Sequence, residues 1–237
     1  MFIHINFEDK GLGFTSRDVV PRKGRCCSGG EMPVIAVIIG LFLAVMFTVS
    51  TVGAADVDEQ MLFDFTSRPS VDDWIEQSDT IRTVGMSKAV LVLQKTQVFQ
   101  RAVFFALLNP QPNGAGFAGM RVLTALDLSP YSQIRLRVRA QGNSSGYKMV
   151  LRHKGEDDEP YPTYEQFFQV HQGAFEDLSL PLSQFIPYYR GRPLNSSEPL
   201  DQSNITSMGL QVYGGVYLST KQAGPSTLEM DWIKAIK

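Results

Sequence analysis

Six residues in the middle of the chain constrain its fold more than any others: Ile134, Leu136 and Val138 alternate strictly with Arg135, Arg137 and Arg139. A period of two puts the apolar set on one face and the arginines on the other, which is the pattern of a half-buried β-strand. Gly142-Asn143-Ser144-Ser145-Gly146 then supplies turn residues, and Tyr147-Lys148-Met149-Val150-Leu151-Arg152 resumes a strand pattern, so the two runs are expected to form a hairpin. Other short runs rich in β-branched and aromatic residues follow the same habit: Leu62 to Phe65, Ala89 to Leu93, Val98 to Leu108, Phe117 to Leu123, Tyr164 to Val170, Leu178 to Leu180, Met208 to Tyr213 and Leu228 to Ile236. Asn109-Pro110, Glu159-Pro160, Gln172-Gly173, Gly191-Arg192-Pro193 and Gly224-Pro225 punctuate them. Ser70-Val71-Asp72-Asp73 is the one stretch that reads as a capping box, opening a single helical turn at Trp74. The expected fold is all-β, an antiparallel sandwich or jelly roll over 61–237.

Ahead of that domain the pattern changes. Residues 1–32 mix apolar and charged side chains without a sustained period and read as a disordered leader. From 33 to 55 no charge interrupts the run. A helix of that length reaches roughly 34 Å, against a bilayer core of about 30 Å. It predicts either a transmembrane anchor or a signal peptide. Arg17, Arg22, Lys23 and Arg25 precede the run and Asp56, Asp58 and Glu59 follow it, so the leader is expected on the cytoplasmic side. Under a second reading Met32 is the start and Val52-Gly53-Ala54-Ala55 offers small residues for cleavage, giving a secreted chain. Both readings point to the secretory pathway. A mitochondrial leader, the alternative, fits less well with Glu8, Asp9, Asp18 and Glu31.

The formal net charge of -2 gives no basis for nucleic-acid binding. The only two cysteines, Cys26 and Cys27, lie before the apolar run, so the sandwich has no disulfide and no cysteine-ligated metal. No residue set calls for a cofactor. Gly142-Asn143-Ser144-Ser145-Gly146 matches Gly-x-Ser-x-Gly, but a strand follows it where a nucleophile elbow needs a helix. His153 and His171 are the histidines of the domain, too few for a multi-histidine metal site, and each reads as a surface or strand residue. Glu156-Asp157-Asp158-Glu159 lacks the spacing of a calcium loop and reads as a solvated tip. Trp74 and Trp232 read as core.

Several blocks, in order, carry a family resemblance. They are Phe63-Asp64-Phe65 leading to Trp74 and Ser78-Asp79; Gly116 to Arg121; Asp127 to Arg139; Leu178 to Phe185; Arg190-Gly191-Arg192; Pro199-Leu200-Asp201 with Ile205 to Leu210; and Leu228 to Ile233. The chain thereby resembles the complex I intermediate-associated protein of 30 kDa family from about Leu62 to Ile236. Val84-Gly85-Met86-Ser87 keeps only part of that family's Gly-Gly-x-Ser element. The resemblance implies a galactose-binding-like sandwich and a non-enzymatic assembly factor of mitochondrial complex I, a chaperone-like role, with a protein partner.

The candidate binding residues are Arg135, Arg137, Arg139 and Arg190, whose guanidinium forks suit carboxylates and phosphates. Acids on neighbouring strands, among them Glu165, Asp177, Glu229 and Asp231, offer the plainer role of cross-strand ion pairing. A carbohydrate partner would instead use aromatic platforms such as Tyr161, Tyr164, Tyr188 and Tyr189. Asn143, Asn195 and Asn204 each begin an Asn-x-Ser/Thr sequon and fall in expected loops, where a glycan would be carried in a secretory setting.

Overall fold

The computed structural model describes residues 58–237 except Arg82, Asn113, Ser196 and Ser197. The expected leader and the apolar run 33–55 lie outside the described residues. Among the described residues no helix is long and apolar enough to cross a membrane.

The strands are β1 (Glu59–Asp64), β2 (Ile75–Glu76), β3 (Lys88–Lys95), β4 (Gln100–Leu108), β5 (Phe117–Leu126), β6 (Gln133–Gly142), β7 (Gly146–His153), β8 (Thr163–Gln169), β9 (Glu176–Pro181), β10 (Ile186–Tyr189), β11 (Arg192–Pro193), β12 (Ile205–Tyr213) and β13 (Gly224–Ile236). They form two antiparallel sheets. The first runs β3-β4-β13-β6-β9, with β1 paired to the C-terminal half of β13; the second runs β11-β10-β8-β7-β12-β5-β2. Two short 3-10 turns, Asp79–Ile81 and Leu182–Gln184, are the helical pieces among the described residues. No helix opens at Ser70: Trp74 N donates to Val71 O at 2.9 Å, closing a turn that leads directly into β2.

The apolar faces of the two sheets meet. Ile134, Leu136 and Val138 of β6 and Leu228 and Met230 of β13 pack toward Tyr147, Met149 and Leu151 of β7 and Met208 and Leu210 of β12, all essentially buried. Phe63, Phe65 and Trp74 add an aromatic cluster to that core, with the Trp74 ring edge-on to Phe63 at 5.2 Å. Trp232 does not join it. A register shift between Met230 and Trp232 turns the Trp232 ring to the outer face, where the Lys234 ammonium sits 4.8 Å from its centroid.

β6 and β7 are not a hairpin, because β13 and β9 occupy both edges of β6 and leave no place for a third strand. The chain crosses between sheets at Gly142 to Gly146 instead. Gly142 takes φ +95, and a Cβ there would stand 2.7 Å from the Pro225 carbonyl oxygen, so the crossing needs glycine. The two apolar stripes that would have lain side by side now face each other across the core.

The partial Gly-Gly-x-Ser element has a structural job. Asp79 is fully buried, and its carboxylate accepts hydrogen bonds from Ser87 N and Ser87 Oγ, both at 2.8 Å, and from Phe117 N at 3.3 Å. Ser87 Oγ in turn accepts from Asn109 N at 3.0 Å. Gly85 leaves no room for a Cβ against the Asp79 backbone, so Gly85-x-Ser87 is the part of the element that this geometry requires. Ser87→Ala is expected to cost about 1–3 kcal/mol, because it removes a buried hydrogen bond to the Asp79 carboxylate and leaves the Asn109 N–H without its acceptor; the midpoint of urea unfolding measures it, and an unchanged midpoint would refute the role.

Candidate functional site

The arginine stripe faces outward from the first sheet, opposite the core face of β6. Cross-strand register sets Glu229 beside Arg139, Trp232 beside Arg137 and Asp177 on the other side of Arg137. Glu229 is buried at the centre. It accepts from Arg139 Nη2 at 2.6 Å, Arg101 Nη1 at 2.8 Å and Gln141 Nε2 at 2.9 Å. Arg137 pairs with Asp177 at 2.9 Å and approaches Asp231 at 3.4 Å, which Arg101 also approaches at 3.6 Å. Phe175 caps this network, with the guanidinium carbons of Arg101, Arg139 and Arg137 at 4.5, 4.8 and 5.6 Å from its ring centroid. Burial pushes the Glu229 carboxyl up, but the hydrogen bonds and charges of Arg139 and Arg101 outweigh it and hold the group below its ordinary range.

Three guanidinium groups here meet three carboxylates, so the stripe is close to neutral and internally paired. The plainer role foreseen for Asp177, Glu229 and Asp231 is the arrangement found. Glu165 is not part of it: that residue lies on β8 of the second sheet and pairs with Lys148 at 2.6 Å. Arg135, half-buried, sits between Lys234 of β13 and Ser179 of β9, at the end of the stripe away from the acids.

Arg190 is not brought to the stripe. It occupies the β10–β11 turn of the second sheet at φ 51, donates to Glu159 at 2.9 Å and stacks on Tyr189. Tyr164, offered as a platform, is in the core; its hydroxyl donates to Glu198 O at 2.7 Å, and its ring packs on His153 at 4.8 Å. Tyr161 is exposed, and Tyr188 and Tyr189 are half-buried. Asn143, Asn195 and Asn204 are all exposed, in loops.

Sequence reasoning missed the apolar neighbour of the stripe. On the same outer face Val90, Val92, Phe105 and Leu107 are 47%, 37%, 46% and 52% exposed, and Val90 faces Phe105 directly in the β3–β4 register. Ala89 to Leu93 of β3 and Ala102 to Leu108 of β4 both read as continuous apolar runs and give no sign that alternate residues face solvent.

The outer face of the second sheet has a different character. Phe167 stands 5.6 Å from Tyr188 and 4.9 Å from Tyr213, beside the buried Lys148–Glu165 pair. Tyr217, in the loop between β12 and β13, meets the Arg192 guanidinium of β11 at 4.9 Å. At one side the acidic tip folds back rather than standing in solvent. Arg121 binds Asp157 O and Asp158, Arg152 donates to the carbonyls of Glu156, Asp158 and Tyr161, and Thr206 donates to Asp157. A cleft of about 330 Å³ beside the tip is lined by Arg121, Leu123, Gly155, Asp157, Asp158, Glu159 and Tyr161. Among the described residues no cluster of three or more His, Cys, Asp or Glu is placed to hold a metal.

His153, the last residue of β7, is a buried strand histidine, and its Nδ1 accepts from Asp201 N at 2.7 Å. Burial, with Lys154 beside it, pushes its pKa down, so it is neutral with the proton on Nε2. His171 is exposed next to Glu176. Ser144 is fully buried at the sheet crossing.

The profile of the Complex I intermediate-associated protein 30 (CIA30) family matches residues 63–230. The chain belongs to that family. An uncharacterized protein of Schizosaccharomyces pombe is 27% identical over 146 residues, covering 57% of this chain; the chain spans 65% of the length of that relative. Among solved structures the CIA30 sandwich is similar to a family 11 carbohydrate-binding module from Clostridium thermocellum in complex with a β-1,3-1,4-mixed-linked tetrasaccharide, at TM-score 0.54 and 18% identity over 75% of this chain and 95% of that one. The family 11 module of the cellulosomal cellulase Lic26A-Cel5E of the same organism gives TM-score 0.53 and 19% identity over 76% and 95%. At these identities the likeness establishes the jelly-roll fold.

Proposed function

We propose that this CIA30-family chain is a non-enzymatic assembly module that holds a protein partner, an intermediate of complex I, against the outer face of its first sheet. The observation that carries this is the juxtaposition on one face of an exposed apolar patch, Val90, Val92, Phe105 and Leu107, with ion pairs already set in place along Arg101, Arg137 and Arg139. Protein interfaces combine an apolar centre with a charged rim, and charges held by their neighbours lose little freedom when a partner arrives. Among the described residues the cross-strand neighbours of Arg135 are Lys234 and Ser179 rather than acids, which makes it a rim cation. Arg190, on the other sheet, stays outside this surface.

The family's association with complex I favours the mitochondrial location over the secretory one. Its test is genetic: cells lacking the chain are expected to accumulate incomplete complex I and to regain the mature complex on re-expression of wild type. Normal complex I in the deleted cells would sink the reading.

A second reading rests on the aromatic trio Phe167, Tyr188 and Tyr213 and on the sugar held by the family 11 neighbour. Ring faces of that kind stack on sugars, with Lys148, Glu165 and Gln211 as polar partners nearby. Titration calorimetry with the mixed-linked tetrasaccharide decides it. This reading predicts millimolar or tighter binding that Phe167→Ala weakens roughly tenfold; absence of binding heat removes it.

A further inference from the structure

Among the described residues β3 is an edge of the first sheet, with β4 as its one neighbour in the sheet. It runs in unbroken register with β4, from Lys88 opposite Leu107 to Lys95 opposite Gln100. The Ala89 N–H points away from β4, because Glu76 Oε1 accepts it at 3.0 Å. Alternation along the strand then turns the amides of Leu91, Leu93 and Lys95 to the same open side. Natural edge strands are blunted by a central charge, a proline or a bulge. β3 has none of these: its lysines stand at the two ends, and Ala89-Val90-Leu91-Val92-Leu93 between them is wholly apolar.

We infer that this edge pairs antiparallel with the same edge of a second copy of the chain, with the two-fold axis at Val92. Three considerations choose the occupant and the register. Outward-facing amides must oppose each other, which sets Leu91 against Leu93 of the second copy and Val92 against its own equivalent in a non-hydrogen-bonded pair, where side chains come closest. Charges also complement: Lys95 then lies across from Ala89 of the second copy, beside the Glu76 carboxylate that binds that amide, and Lys88 lies across from Thr96, so no lysine faces a lysine. The neighbouring registers are worse. A two-fold at Leu91 brings the Ala89 amide, which Glu76 already holds, into the pair next to the axis, whereas with the axis at Val92 it lies at the end of the pairing; a two-fold at Leu93 sets Leu91 against Lys95.

Pairing of this kind joins the two exposed Val92 side chains and extends each sheet into the other, a closed and self-complementary contact. It does not depend on the identity of the assembly partner. The assays differ as well, since this one reads the mass of the chain alone.

Sedimentation velocity of the full chain in mild detergent, across roughly 10–200 µM, is the test, the range in which a small interface associates. Wild type is expected to shift from monomer to dimer over that range. Val92→Lys and Val92→Asp, at a partly exposed position, are each expected to raise the dissociation constant at least about tenfold by setting like charges on the two-fold, and an equimolar mixture to restore a dimer of one of each. Circular dichroism and melting curves matching wild type show that the variants fold. If they do not fold, Val92→Cys provides the second route: under oxidation it forms a disulfide joining the two substituted positions, identified by peptide mass. A wild type that stays monomeric throughout, lysine and aspartate variants that dimerise like wild type, or a folded mixture that fails to pair overturns the inference.

Discussion

Glu229→Gln is expected to destabilise the sandwich by about 3 kcal/mol, which lowers the melting temperature of a domain this size by roughly 10 °C. Glu229 is the shared acceptor of Arg101, Arg139 and Gln141, and its side chain is only 8% exposed. Removing its charge leaves two guanidinium groups, stacked under Phe175, without their central counter-ion. The loss lies in uncompensated charge more than in the pair's own net strength.

The same residue fixes a pH dependence. Its folded pKa lies below the ordinary 4.5, so the unfolded chain takes up the proton first as pH falls. The stabilisation is therefore complete above about pH 5 and fades as pH drops through 4.5 toward the folded value. Urea midpoints measured between pH 6 and pH 3 are expected to fall for wild type and to fall less steeply for Glu229→Gln. Parallel curves would show that the network contributes nothing to stability.

Phe105→Asp combined with Leu107→Asp is the second large effect, and it falls on binding. Both side chains are about half exposed on the outer face, next to Val90 and the ion pairs. Folding should change by less than about 2 kcal/mol, since the core faces of β4 are untouched. Placing two carboxylates at the apolar centre of an interface is expected to lower affinity for the assembly intermediate a hundredfold or so. Arg135→Glu, at the rim, should cost several-fold and act mainly on the association rate. The measurement is surface-immobilised capture of the isolated intermediate by the purified variants. Equal capture by the double variant and wild type would move the partner to another face.

Much of this fold could be read ahead of any coordinates, and the failures are instructive. The alternation in Ile134 to Arg139 marks β6 correctly because one face is buried and the other carries charge. The Gly142 to Gly146 stretch looks like a hairpin turn because glycine, asparagine and serine serve any reversal. Nothing local says that β13, about eighty residues further on, takes the edge of β6 that β7 would have used. The same non-local pairing brings Glu229 and Asp231 to the arginines. Acids are visible in the sequence, but their register is not, so Glu165 was an equally good candidate. Tyr164 illustrates the limit for site residues: a tyrosine in a short strand has two faces to choose from, and the pairing of Leu151 with Tyr164 puts it inward. Gly85-x-Ser87 reads as a fragment of a family element; its role becomes clear only once Asp79 is seen to bind Ser87.

The most direct measurement of the central claim is native gel separation of cell membranes, probed for this chain and for complex I subunits, with and without N-glycan removal. The account predicts that the chain migrates with complex I intermediates and that its mass is unchanged by glycosidase. A chain that runs apart from every complex I subunit and loses mass from glycans at Asn143, Asn195 or Asn204 would contradict it.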